Sequence, residues 1–405
     1  MSRVAITGIG IIAPAAIGTD AFRAMLRGGH TAIAPIDRFD TAGLRSHRAA
    51  LVAGFQARDF IGPMKLRRMN ALSRYAVAAA KMALDESGLE AGRRQEAGVA
   101  IGTMFGPVQT SVEYMREYVE KGASLAPPQL FAESVANAPG SHVAIEFGLR
   151  GFNLTFTQRE SSALAAATFA ASQIVKGSLE GALIGGVEEV NEMVFSVLAR
   201  LGALAHETAE VEEASRPFDR RRNGIVLGEG SAMLVAESAR SATARGARVH
   251  AYLSGFGIGR DTSASLSDWG TGSEKIARVM RSAIDDAGIE TDAIDAVWAS
   301  ANSSRRGDAV EAEALRALFG AKMPPVAATK GYFGEYAGGG AIHLAAAVMA
   351  MADQELPLSL GCEVPESSLP LTGRRVETPI RHMLINSISS GGGVICAVLS
   401  RNDHE

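Results

Sequence analysis

The sequence predicts an α/β fold made of two related βαβ-rich halves, and three observations predict it. Short β-rich apolar runs alternate with alanine- and leucine-rich stretches at helical spacing along the whole chain, which favours parallel or mixed sheets covered by helices on both faces. The order of these runs in the first half returns in the second, as two copies of one unit burying a common layer would require. The composition, 47% hydrophobic and 21% charged with 44 glycines, is that of a globular protein rich in tight turns.

Taken in order, residues 4–12 form a β-rich run ending in glycines, 68–89 a helix, and 98–102 a short strand. Residues 161–176 follow as a helix, 181–187 as a buried strand closed by glycines, and 228–235 as a further strand. The second half restarts with a strand at 249–255, a helix at 272–287, a strand at 296–299, and a last strand after the glycine run 391–393. The polar, arginine-bearing stretch 238–248 separates the halves, giving units 1–245 and 246–405. Spacing alone also admits two unrelated α/β halves.

Bulk properties exclude several function classes. A net charge of −4 argues against a nucleic-acid groove or a polybasic membrane face. Only Cys362 and Cys396 are present, so there is neither a disulfide framework nor a zinc spacing, no metal site is expected, and a reducing cytoplasm fits. The opening MSRVAITGIG lacks the basic and apolar regions of a signal peptide, and the apolar stretch 341–351 is too short to span a bilayer.

Local strings then become specific. RVAITGIGIIAP opens the chain; KLRRMNALSRYAVAAAKMALDESGL follows; FGLRGFNLTFTQRESSALAAATFAASQIVKG reads as strand, elbow and buried helix. RPFDRRRNGIVLGEGSAMLVAE is rich in arginine and glycine, with Arg216, Asp219, Arg220 and Glu229 suited to a salt-bridge network. VWASANSSRRGDAVEAEAL, VAATKGYFGEYAGGGAI and the glycine-rich NSISSGGGVICAVLS complete the series. In this order, over nearly the whole chain, the strings resemble the β-ketoacyl-acyl-carrier-protein synthase family of the thiolase fold. The resemblance implies a thiolase-like, five-layered αβαβα arrangement.

It also implies where the catalytic groups should stand, and all three are replaced. The family's nucleophilic cysteine lies in a Thr-Ala-Cys-Ser-Ser-like string; here Thr157-Gln158-Arg159-Glu160-Ser161-Ser162 puts Glu160 at that position. The family uses a thiolate stabilised by a helix N-terminus, whereas acyl transfer to a carboxylate would give a labile mixed anhydride. Ser300 stands for the first histidine, and Glu335, five residues after the retained Lys330, for the second. Those histidines donate hydrogen bonds to the developing enolate; serine donates one, and an ionised glutamate none. Cys362, in a proline-flanked loop, and Cys396, in an apolar strand, read as inert. Two carboxylates in one small pocket repel, so either one stays protonated or Lys330 and Arg159 neutralise them.

The resemblance implies no cofactor; a carrier protein's phosphopantetheine arm is the expected ligand. Asn302, Ser303 and Ser304 stand where the family places threonines, and Ser390, Gly391 and Gly392 lie in the closing loop beside the substrate. Residues 152–157, with Phe152, Leu154 and Phe156 alternating, correspond to the strand that pairs across the family's two-fold. Residues 104–118, with Met104, Phe105, Val108 and Val112 at near-helical spacing, correspond to the tunnel end, or equally to an amphipathic core helix. Together these features imply a non-condensing partner subunit of the chain-length-factor type, paired with a catalytic ketosynthase and served by an acyl carrier protein. A homodimeric enzyme with a rebuilt Glu160/Ser300/Glu335 site, decarboxylating or joining acyl thioesters, is the alternative. A carrier-binding scaffold is a third reading.

Overall fold

The computed structural model describes residues 3–266, 268–366 and 368–401. The principal sheet has 11 strands. In the first half they are β1 (Val4–Ala13), β2 (Gly98–Gly102), β3 (Asn153–Phe156), β4 (Gly181–Glu188) and β5 (Gly230–Ser238). In the second they are β6 (Ala251–Arg260), β7 (Ala296–Trp298), β8 (Val326–Ala327), β9 (His382–Ile388) and β10 (Gly393–Ser400). The remaining short strand, Ala16–Ile17, folds back on the end of β1.

The spatial order is β8-β7-β9-β10-β6-β1-β5-β4-β2-β3. Numbered within its own half, each set of five reads 3-2-4-5-1 from its outer edge inward. The strand directions repeat too. The outer three strands of each half are parallel, and the fourth-to-fifth and fifth-to-first pairings are antiparallel. The internal echo is therefore a repeat of topology. The halves join where Val4, Ala5 and Ile6 pair with Leu253, Tyr252 and Ala251.

Helices pack on the sheet and between its two halves according to their apolar content. On one outer face α1 (Ala71–Ser87) packs on β1 and β5. Two further helices of this half, α2 (Val108–Lys121) and α3 (Pro128–Glu133), pack on each other. The centre holds α4 (Ser162–Val175), whose buried residues include every alanine it has; a helix apolar all round is stable only when surrounded. Against α2 runs α5 (Glu192–Arg200). On the far outer face lie α6 (Ser273–Asp286), with Ile276, Met280, Ala283 and Ile284 buried on one stripe, and α7 (Arg305–Phe319). A single turn, α8 (Lys330–Phe333), leads to the second central helix, α9 (Ala341–Asp353), which touches strands of both halves.

Two differences from the sequence reading have local causes. The helix expected over 104–118 begins only at Val108, because Gly106 is left-handed (φ 70°) and Pro107 follows it. Met104 and Phe105 thus lie in a loop. Strands β8 and β9 were not foreseen: β8 has two residues, and β9 carries buried Asn386 and Ser387, which mask its apolar alternation. The sheet's edges also differ. Residues 370–372 cover β8, with Val326 N–H donating to Pro370 O and Thr372 N–H to Val326 O, whereas β3 ends the sheet uncovered.

Candidate functional site

The elbow between β3 and α4 is a tight turn over Arg159–Ser161, with Arg159 in the left-handed region (φ 54°). Serines stitch it to the closing loop. Ser161 Oγ donates to Ser387 O (2.9 Å) and lies 2.7 Å from Ser389 Oγ, while Ser387 Oγ donates to Glu160 O (3.1 Å). Glu160 is buried at the N-terminal end of α4. Its Oε1 accepts from Tyr336 Oη (2.9 Å) and Ser390 Oγ (3.0 Å), and its Oε2 accepts from Ser390 N–H (3.1 Å). Arg159 Nη1 reaches Ser390 Oγ (2.8 Å), so its contact with the carboxyl runs through that serine. Burial first, and then the neighbouring Glu335 carboxylate, push the Glu160 carboxyl well above the ordinary carboxylate range.

Glu335 closes the other side. It follows α8, fixed by Glu335 N–H to Val226 O (2.7 Å) and Gly228 N–H to Glu335 O (2.8 Å). Gly228 permits this approach: a Cβ there would sit 1.9 Å from Phe333 O. Glu335 Oε2 accepts from Lys330 Nζ (2.7 Å) and Asn302 Nδ2 (2.6 Å), and Oε1 accepts from Tyr336 N–H (2.8 Å). Lys330 and Glu335 thus form a buried ion pair with an extra amide donor, the arrangement that makes such burial tolerable. Tyr336 stands between the two carboxyl groups.

Ser300 faces the β9 backbone: Ile388 N–H donates to its Oγ (2.9 Å), and its own N–H donates to Glu311 Oε1 (2.8 Å). Asn302 is committed to Glu335 and to Ser304 N–H, which donates to its Oδ1 (3.1 Å). The hydroxyls of Ser303 and Ser304 have no hydrogen-bond partner. Gly391 and Gly392 are both left-handed, and Gly391 N–H donates to Asp268 O (2.8 Å). Beside Ser304, whose carbonyl accepts from Arg222 Nε (3.2 Å), opens a cleft of about 600 Å³ lined by Arg220, Arg221, Arg222 and Arg305 together with Glu210 and Glu366, the latter paired with Arg222. Within the same signature, Asp219 takes Arg221 as its partner and Glu229 pairs with Arg38.

Neither thiol is poised to react. Burial pushes Cys362 up to about 11, and the fully buried Cys396 is also raised by burial. His343, on α9, is lowered to about 3 by burial and then by Lys330. Among the described residues no cluster of three or more histidines, cysteines or carboxylates could hold a metal ion, and no helix is long and apolar enough to cross a membrane.

Met104 and Phe105 occupy the loop before α2, and their N–H groups donate to Glu188 Oε2. Burial raises Glu188 to about 8, which keeps it neutral while it anchors the loop. Phe105 meets Tyr336 edge-on, with ring centroids 5.3 Å apart. Val108 and Val112 are half-buried along α2. Further along lie exposed Met115, Tyr118 and Val119, and nearby α3 exposes Phe131. Phe152, just before β3, and Phe156, at its end, pack against Phe169 of α4, while Leu154 between them stays exposed. Sequence reasoning missed Tyr336 and Glu188. For Tyr336 a signal existed, a large aromatic wedged between a replaced histidine position and a glycine run.

Comparison with known proteins agrees over the chain's length. The family description "Beta-ketoacyl synthase, N-terminal domain" matches residues 1–242, and "Beta-ketoacyl synthase, C-terminal domain" matches residues 250–363. The chain is 30% identical to a 3-oxoacyl-[acyl-carrier-protein] synthase 2 of Vibrio cholerae, over 96% of this chain and 97% of that one. It is 32% identical to the ketoacyl synthase beta subunit of the tetracenomycin polyketide synthase of Streptomyces glaucescens, over 90% of each. Among solved structures, the ishigamide ketosynthase/chain length factor superimposes with a TM-score of 0.89 at 29% identity, covering 99% of each chain.

Proposed function

The chain belongs to the β-ketoacyl synthase family, and from that premise we propose that it is a non-condensing subunit of the chain-length-factor type. In this reading it pairs with a cysteine-bearing ketosynthase in the cytoplasm and shapes that partner's acyl tunnel during polyketide or polyene synthesis. One observation carries it. The nucleophile position is a carboxyl group whose hydrogen bonds to Tyr336 and Ser390 are all internal, and the second histidine position is an ion-paired glutamate. A site already satisfied by its own side chains offers a thioester no nucleophile and an enolate no free donor. The open edge of β3, exposed Leu154, and the apolar surface of α2 and α3 support pairing, and the arginine-lined cleft beside Ser304 suits the phosphate of a carrier's pantetheine arm.

Co-expression with a cysteine-bearing ketosynthase tests the proposal. A stable heterodimer is expected, and Glu160→Gln should leave product formation within about twofold, since the amide keeps the acceptor that Tyr336 uses. Loss of all product with the heterodimer intact would sink it.

One observation favours the second reading, a homodimeric enzyme. A protonation-prone Glu160 beside an ion-paired Glu335 is the kind of split that acid–base catalysis uses. It predicts turnover of malonyl or acyl thioesters by the purified chain alone, abolished by Glu160→Gln.

A further inference from the structure

Resting on the partner-subunit reading, we propose that Tyr336 is a built-in plug that closes this chain's own acyl-thioester pocket and so confines acyl groups to the partner's site. Tyr336 is 5% exposed and sits in the left-handed region (φ 64°), an uncommon conformation for a residue with a bulky side chain. Both of its ends are held. Its amide N–H donates to Glu335 Oε1 at 2.8 Å, and its hydroxyl donates to Glu160 Oε1 at 2.9 Å. The full length of the side chain therefore lies between the two carboxyl groups. Those groups occupy the family's nucleophile position and its second histidine position, so a thioester bound for reaction would need the volume that the phenol ring fills.

The ring blocks a second direction as well. It belongs to an apolar cluster with Val190, Phe195 and Leu227, against which Met104, Phe105 and Val108 pack. An acyl chain leaving the elbow toward α2 would have to pass through the ring at the inner end of that cluster. Burial, then the Glu160 and Glu335 carboxyls, hold the phenol well above its usual range, so it stays a donor to Glu160. The three glycines that follow, at φ 61°, 59° and 88°, bring the turn against the sheet; a Cβ on Gly339 would lie 2.3 Å from Gly102 O. This close packing fixes where the plug begins.

The test uses the full chain without any ketosynthase and titrates it with S-hexanoyl-pantetheine by calorimetry. Wild type and Tyr336→Phe, which keeps the ring, should show no saturable binding into the millimolar range. Tyr336→Gly, which removes the ring and suits the backbone angle, should bind at least tenfold more tightly than wild type. p-Cresol, the side chain as a free molecule, should compete with that binding and raise the variant's melting temperature without affecting wild type. Saturable binding by wild type equal to that of the glycine variant overturns the plug, as does a folded glycine variant that takes p-cresol but no acyl pantetheine. Should the glycine variant fail to fold, Tyr336→Ser carries the same comparison. Because no partner is present, failure of heterodimer formation counts against the partner-subunit reading alone, and failure of this titration against the plug alone.

Discussion

The pocket around Glu160 and the outer surfaces of β3, α2 and α3 have opposite characters. Inside, each replaced catalytic side chain has a protein partner: Glu160 has Tyr336 and Ser390, Glu335 has Lys330 and Asn302, and Ser300 has the β9 backbone. Outside, Leu154 sits exposed on the edge strand β3, and Met115, Tyr118, Val119 and Phe131 are exposed on α2 and α3. The replaced catalytic side chains are paired within the chain, whereas these apolar side chains face outward. A subunit kept for assembly rather than turnover would show this division.

The comparison breaks most readily at the buried ion pair. Lys330→Met leaves the Glu335 carboxylate buried without its cation, and the expected loss is about 3–5 kcal/mol in urea unfolding. A loss under about 1 kcal/mol would mean that Asn302 and the Tyr336 N–H suffice, and that the pocket is less tightly completed than described. On the outer face, Leu154→Asp should weaken association with the partner ketosynthase by on the order of 100-fold while leaving the isolated chain's melting curve nearly unchanged. Unchanged association in sedimentation would move the interface away from β3.

Smaller effects sharpen the contrast. Glu188 holds the loop carrying Met104 and Phe105, and its folded pKa of about 8 lies above that of an unfolded glutamate. Its contribution is therefore fully present below the unfolded value and is lost as pH rises through about 8. Glu188→Gln should remove a slope of up to about 1.4 kcal/mol per pH unit, so that the variant gains on wild type between pH 5 and 9 in parallel unfolding titrations. A constant difference across that range would show that Glu188 is ionised in the fold. Tyr336→Phe should cost about 1 kcal/mol, the net value of its hydrogen bond to Glu160, measured by thermal unfolding at pH 7.

Much of the fold was legible because it is written in local patterns: apolar runs closed by glycines, alanine-rich central helices, and motif strings in a fixed order. The missing strands were those whose identity is not local. β8 is a strand only because β7 and residues 370–372 flank it, and β9 places Asn386 and Ser387 inward to serve the site. At the site, sequence could name Glu160, Ser300, Lys330 and Glu335 by position. It could not say that Tyr336 turns left-handed and reaches Glu160, since that angle is set by packing of Gly228 and Gly339 against distant backbone. Nor could it say that Asn302, read as a ligand contact, would be spent on Glu335.

The unequal sheet edges bear on how far assembly can go. If both ends of the sheet were open, each added copy would offer a fresh edge to the next, and the product would be a fibre. Here residues 370–372 cover one end at β8, while among the described residues no strand lies beyond β3 at the other. If two such open edges were joined, both would be used up, and growth would stop after a single step.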